Sequence, residues 1–215
     1  MTDTKALFEG KDRFMDNAGL PRKFAVIFPG MGYNKDKPLL YHAGKLVREL
    51  GYDVIDVEYH DLPQKIRGNR ELMIEAAQKA YGQAEEILAD IKLTARDDII
   101  FIGKSIGTFI SAKYVYDHNL SAIQIWYTPV EPTYSFESKK TAAFIGDADP
   151  WSDYDKVKKK ADSLEIPLYT YSGCNHSLER GDTINDVETL MDVIRKTSEY
   201  LKANIIHRNK KNVNI

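Results

Sequence analysis

The sequence predicts an α/β protein built on a mostly parallel central sheet with helices on both faces. Three observations carry this reading. Short runs of Ile, Val and Phe have no polar face, which suits strands covered on both sides. Segments of helical periodicity lie between those runs. The two kinds of segment alternate along the chain with no internal repeat, linker or composition break, so residues 1–215 read as a single domain.

Taken in order, residues 24–28 form the first strand, ended by Pro29 and Gly30. Pro38 suits the first turn of a helix, where its missing N–H has no partner to lose. Leu39, Ala43, Leu46, Val47 and Leu50 then follow at helical spacing, and Gly51 stands where a left-handed cap belongs. Residues 52–59 alternate in part and suit a strand nearer the sheet edge. A second helix spans residues 71–92 through Leu72, Ala76, Ala80, Ala84, Ile87, Leu88 and Ile91. Residues 99–102 form another doubly buried strand, closed by Gly103, and residues 105–118 a helix. The remaining strands are expected at 122–127, 141–145 and 168–171, and the remaining helices at 153–164 and 186–204. Residues 1–23 read as an N-terminal extension or a pair of edge strands, and 207–215 as a polar tail.

Composition narrows the function. The chain has 215 residues, 30 Lys and Arg against 32 Asp and Glu, and a formal net charge of −2. That balance gives no reason to expect nucleic acid or an anionic membrane as partner. No run approaches the roughly 18 apolar residues of a membrane span, and the N-terminus lacks the apolar stretch of a signal peptide. One cysteine, Cys174, can form neither an internal disulfide nor a cysteine-based zinc site, and reads as a small packing residue. A cytoplasmic protein is expected. No helix carries paired metal-binding histidines, and no cofactor is indicated. An exposed edge strand or the apolar side of residues 186–204 could support a homodimer.

Chemistry concentrates in three loops. Gly103-Lys104-Ser105-Ile106-Gly107 is a G-x-S-x-G that follows a buried strand and opens a helix. A sharp turn there strains the serine backbone and raises its hydroxyl above the sheet, while the glycines remove side chains that would clash. The N–H of Ile106 then points from a helix N-terminus toward developing negative charge. A phosphate-binding loop is excluded, because it needs a glycine five positions before Gly103, where Asp98 stands. A serine alcohol needs a base and a group to orient that base. Residues 144–150 (FIGDADP) put Asp147 and Asp149 after one strand, and residues 171–179 (YSGCNHSLE) put His176 after the next. All three loops lie at the carboxyl edge of the expected sheet, where open α/β sheets bind ligands. His42, His60, His118 and His207 sit in helices, at a strand end or in the tail.

With these motifs in place, the chain resembles a serine hydrolase of the α/β-hydrolase superfamily, similar to small lidless carboxylesterases and dienelactone hydrolases, over about residues 24–204. The resemblance implies the α/β-hydrolase fold without a lid domain, with Ser105 as nucleophile, His176 as general base and acid, and Asp149, in its G-x-x-D-P setting, as the acid partner ahead of Asp147. It implies an oxyanion hole shared by the Ile106 N–H and one from the loop 29–33, Met31 first and Gly32 as the alternative. That loop commonly begins His-Gly, and Pro29 stands in the histidine's place. Lys104 is an unusual residue within such an elbow, read as a solvated side chain or an attraction for anionic substrates.

Residues 128–140, with Pro129 and Pro132, are too short and too broken for a lid or a crossover helix, so an open, shallow site is expected. Tyr33, Trp126, Tyr127, Tyr134 and Trp151 are the aromatics expected near it, with Tyr33, Trp126, Tyr127 and Trp151 taken as substrate-binding. The activity expected is an acyl hydrolase acting on small esters or thioesters through an acyl-serine intermediate. A non-catalytic binding or regulatory module on the same fold and an acyltransferase using the same three residues are the alternatives.

Overall fold

The computed structural model describes residues 22–95, 97–136 and 138–212, with side chains as far as residue 206. Among the described residues six strands form one sheet: β1 (Lys23–Phe28), β2 (Asp53–Asp56), β3 (Asp98–Lys104), β4 (Ala122–Tyr127), β5 (Thr141–Gly146) and β6 (Leu168–Tyr171). Every pairing is parallel, and the order is β2-β1-β3-β4-β5-β6. Parallel neighbours require crossovers, which α1 (Pro38–Glu49), α2 (Arg70–Ala89), α3 (Ile106–Asp117) and α4 (Tyr154–Ser163) contribute, with α5 (Thr183–Asn212) closing the chain.

The helix signals act as their chemistry requires. Pro38 opens α1, and beyond it Gly51 at φ +83° donates its N–H to the Arg48 carbonyl. Side chains cap two other helices, Asn69 accepting the Leu72 N–H and Asp153 the Lys156 N–H. The edge strand β2 is shorter than the sequence suggests, since among the described residues only one side of it has a partner; β1 still holds the next residue, the Val57 N–H donating to the Ile27 carbonyl. Residues 207–212, read as a polar tail, continue α5. Residues 1–21 and 213–215 lie outside the described residues.

Alternate side chains of the strands divide between the two faces of the sheet. On one face Ala25, Ile27, Ile100, Ile102, Ile123, Ile125 and Tyr127 pack against α1 and α5. On the other, Phe24, Val26, Phe28, Ile99 and Phe101 pack against α2 and α3. Burying each large apolar side chain contributes roughly 1.5–3 kcal/mol, so strands covered on both faces hold the sheet rigid. That rigidity fixes the carboxyl edge on which the loops sit. Among the described residues no helix is long and apolar enough to cross a membrane, and no cluster of potential metal ligands occurs.

Candidate active site

The elbow is set by its glycines. Ser105 has φ +56° and ψ −123°, a conformation that L side chains rarely adopt. The turn holds because α3 starts against the sheet: a Cβ on Gly107 would lie 2.1 Å from the Phe28 carbonyl oxygen, and one on Gly103 2.7 Å from that of Gly107. The Ser105 N–H donates to the Tyr127 carbonyl at 3.0 Å, which ties the strained residue to β4.

The next two loops bring their side chains to this serine. His176 Nε2 lies 2.8 Å from Ser105 Oγ, and His176 Nδ1 lies 2.7 Å from Asp149 Oδ2. A carboxylate only accepts, so Nδ1 carries the proton and Nε2 is free to accept the Ser105 O–H. The Asp149 side chain is wholly buried, and its other oxygen accepts the Trp151 N–H at 2.8 Å. Asp147 does something else. It is exposed, and its Oδ1 accepts the Gly173 N–H at 2.6 Å, fastening the Asp149 loop to the His176 loop. The Asn175 side chain closes the histidine loop from within, accepting the Ser177 and Glu179 N–H groups. Burial holds the imidazole below its ordinary pKa; its hydrogen bond to Asp149 opposes this, and the charge of Lys104 adds to it.

Above Ser105 the loop after β1 makes a tight turn in which the Gly30 and Tyr33 backbones pair. Met31 and Gly32 form its corner. Their N–H groups and that of Ile106 make no hydrogen bond among the described residues, and all three residues line the cavity that opens from Ser105.

The remaining expected site residues divide. Trp151 is 40% exposed and lines the cavity, its ring centroid 5.9 Å from that of His176. Trp126 and Tyr127 correct the expectation that they bind substrate. Both are fully enclosed, because a central strand covered on both faces leaves its last residues inside the core: the Trp126 N–H donates to the Gln124 side chain, and the Tyr127 hydroxyl pairs with that of Thr197 on α5. Tyr33 is also turned away from the cavity; its hydroxyl accepts the Leu39 N–H in the first turn of α1, and burial pushes its pKa up to about 12. Tyr134 is buried against Trp126. Lys104 is not solvated: only 1% of it is exposed.

Nor is the site shallow. A cavity of about 1340 Å³ runs from Ser105 and His176 past Ile106 and Phe109 to Met73, Ile74 and Ala77 on α2. The segment after β4 adds only Val130 and Pro132 and a short 3₁₀ turn (Glu131–Ser135). The far wall comes from residues 57–70 and α2, which sequence reasoning did not assign to the site. Two contacts staple that segment to α2: the His60 backbone exchanges hydrogen bonds with the Gln83 side chain, and Lys79 Nζ donates to the Asp61 carbonyl. A signal was present. Met73 and Ile74 are large apolar residues off the Ala76, Ala80, Ala84 stripe that α2 buries, and they are exposed because they face this cavity. Arg67 closes the rim, its guanidinium 5.6 Å from the Trp151 ring and donating to the Pro150 carbonyl.

No protein-family model matches the chain, and no curated protein sequence is significantly similar to it. Solved structures are similar in fold. An α/β serine hydrolase homologue from Coxiella burnetii shares 18% identity at a TM-score of 0.56, covering 83% of this chain and 86% of its own. A lidless α/β serine hydrolase from Xanthomonas campestris shares 18% identity at 0.56, covering 85% of each chain. Est1E from Butyrivibrio proteoclasticus, solved with ferulic acid bound, shares 13% identity at 0.63, covering 86% of this chain and 90% of its own. Sheet order, crossovers and these likenesses agree: the chain has the α/β-hydrolase fold.

Proposed function

We propose that the protein is a serine-dependent acyl hydrolase of small-molecule esters or thioesters, working through an acyl-serine intermediate. The observation that carries this reading is the unbroken chain of hydrogen bonds from Ser105 Oγ through His176 to buried Asp149, at 2.8 and 2.7 Å, on a serine in a strained elbow. Such strain costs on the order of 1–3 kcal/mol and is retained where it presents a group for reaction.

Ser105 attacks the carbonyl as its proton passes to His176 Nε2. Asp149 keeps the Nδ1–H tautomer and stabilises the imidazolium that forms. The N–H groups of Met31 and Ile106, with Gly32 as the alternative, stabilise the oxyanion; each such donor is worth about a hundredfold or more in rate. His176 then protonates the departing alcohol or thiol. Water activated by the same nitrogen releases the acid and restores the serine. The long, mostly apolar cavity supports substrates whose acyl or alcohol part is large and apolar, packed between Phe109 and α2.

The test is hydrolysis of a panel of p-nitrophenyl esters and acyl thioesters by the parent, S105A and H176A proteins. Turnover that falls by at least about 10³-fold in both variants supports the reading. Turnover unaffected by either substitution would overturn the reading, and turnover absent from a folded parent across the panel would put the non-catalytic module in its place.

A further inference from the structure

Two helices form the part of the cavity that leads away from the reacting atoms. α2 and α3 cover the same face of the sheet, and their contacts run in register, Tyr81 with Lys113 and then Glu85 with His118. Both numbers rise together, so the helices are parallel, and α3 starts at Ser105. Ile106, Phe109 and Lys113 share one side of α3 at helical spacing, and Ile74, Ala77 and Tyr81 share one side of α2 at the same spacing. All of these residues line the cavity.

The groove between them is apolar beside the serine and closed at its far end. Ile106 and Phe109 are half-buried, Ile74 is exposed, and Ala77 is the small residue between Ile74 and Tyr81 on that side of α2. At Tyr81 the helices are tied together. Its hydroxyl donates to Asp117, and Lys113 Nζ donates to the same carboxylate oxygen at 2.6 Å. The Lys113 ammonium also lies 4.6 Å from the centre of the Tyr81 ring, and the Tyr114 ring stands 6.5 Å from it. A chain that reaches this point meets a ring and a paired charge rather than open apolar space.

The length follows from helix geometry. The rise from Ser105 to Lys113, at about 1.5 Å per residue, is about 12 Å. An extended hydrocarbon, with carbon–carbon bonds of about 1.5 Å at tetrahedral angles, advances about 1.25 Å per carbon, so the groove holds about eight to ten carbons. The direction follows from the chemistry. The leaving group takes its proton from His176, so it lies on the imidazole side, beside Trp151. His176 reaches Ser105 from the β6 end of the sheet, whereas α2 belongs to the β2–β3 crossover on the other side of β3. The groove is therefore left for the acyl chain.

We propose that the groove between α2 and α3 is the acyl site and that Tyr81 sets its length, so that the preferred substrates are esters or thioesters of straight-chain acids of about eight to ten carbons. This deepens the hydrolase reading and rests on it.

The test is the chain-length profile of kcat/KM for p-nitrophenyl esters from acetate to tetradecanoate, with the parent, Y81A and A77F. Each buried methylene raises kcat/KM by up to about fourfold while the groove has room. The parent is expected to peak at octanoate or decanoate and to lose at least about tenfold by tetradecanoate. Y81A opens the end and moves the peak to dodecanoate or longer; A77F obstructs the groove and moves it to hexanoate or shorter. A parent peak elsewhere would overturn the assignment, as would a folded Y81A or A77F that keeps the parent's profile. Should neither variant fold, the parent's profile decides. Binding separates a failed groove from a failed hydrolase: in S105A, methyl octanoate is expected to shift the methyl resonances of Ile74 and Ile106 in an NMR titration. If the parent turns over no ester, the hydrolase reading falls and this titration decides alone. Shifts at both residues then keep the groove as a site for such chains, and a missing shift at either overturns it.

Discussion

Asp147 and Asp149 stand two residues apart in one loop, and chemistry separates them by burial and partner. Asp149 is enclosed and receives the imidazole N–H; Asp147 is exposed and receives a backbone N–H from the neighbouring loop. D149N is therefore expected to lower kcat by on the order of 10³–10⁴-fold with the fold intact, because an amide can impose the wrong tautomer on His176. D147N should lose less than about tenfold, through a looser loop. Equal losses in steady-state kinetics of the two variants would contradict this division. Ser105, Asp149 and His176 could be located from sequence because each follows a recognisable strand, which fixes its place at one sheet edge. Burial of Lys104 was harder to see, since a lysine at a strand end usually reaches water. The alternation Ile100, Ile102, Lys104 was the available signal, and it needed the helices of that face to become decisive.

Among the elements, the β3–α3 junction is the most constrained. A Cβ at Gly107 would overlap the Phe28 and Pro29 carbonyls at 2.1 and 2.5 Å, and backbone atoms cannot move aside as a flexible side chain can. G107A is expected to lose about 3 kcal/mol or more of stability in urea denaturation. Gly82 makes the contrast: it lies exposed within α2 with open space where a Cβ would be, and G82A should gain roughly 0.5–1 kcal/mol. A G107A protein as stable as the parent would mean that the elbow can relax. Helix starts were legible at Pro38, which opens α1, and at Asp153, which caps α4; the Asn69 cap of α2 was not read, and that helix starts and stops earlier than expected. The length of β2 was not, because pairing at a sheet edge depends on its neighbour rather than on its own residues.

In the whole molecule, the sheet brings three loops to one edge, and the crossover from β2 to β3 builds the wall facing them. Sequence showed the short connection after β4 and suggested a shallow site. It could not show that residues 57–70 fold back onto α2 and deepen the cavity instead, since that depends on contacts such as Gln83 with His60. Ile74 is 46% exposed on that wall, so a larger side chain can be placed there without disturbing the core. I74W is expected to lower kcat/KM for a p-nitrophenyl decanoate at least about tenfold relative to the acetate, by filling the space the chain would occupy. An unchanged ratio would place the substrate elsewhere.

Activation of Ser105 by the fold can be tested without knowing the substrate. The measurement is covalent labelling by a fluorophosphonate, with the modified residue located by peptide mass spectrometry. One label per chain is expected, on Ser105, and lost in S105A and H176A. A folded parent that takes no label, or a label carried on any other residue, would contradict it.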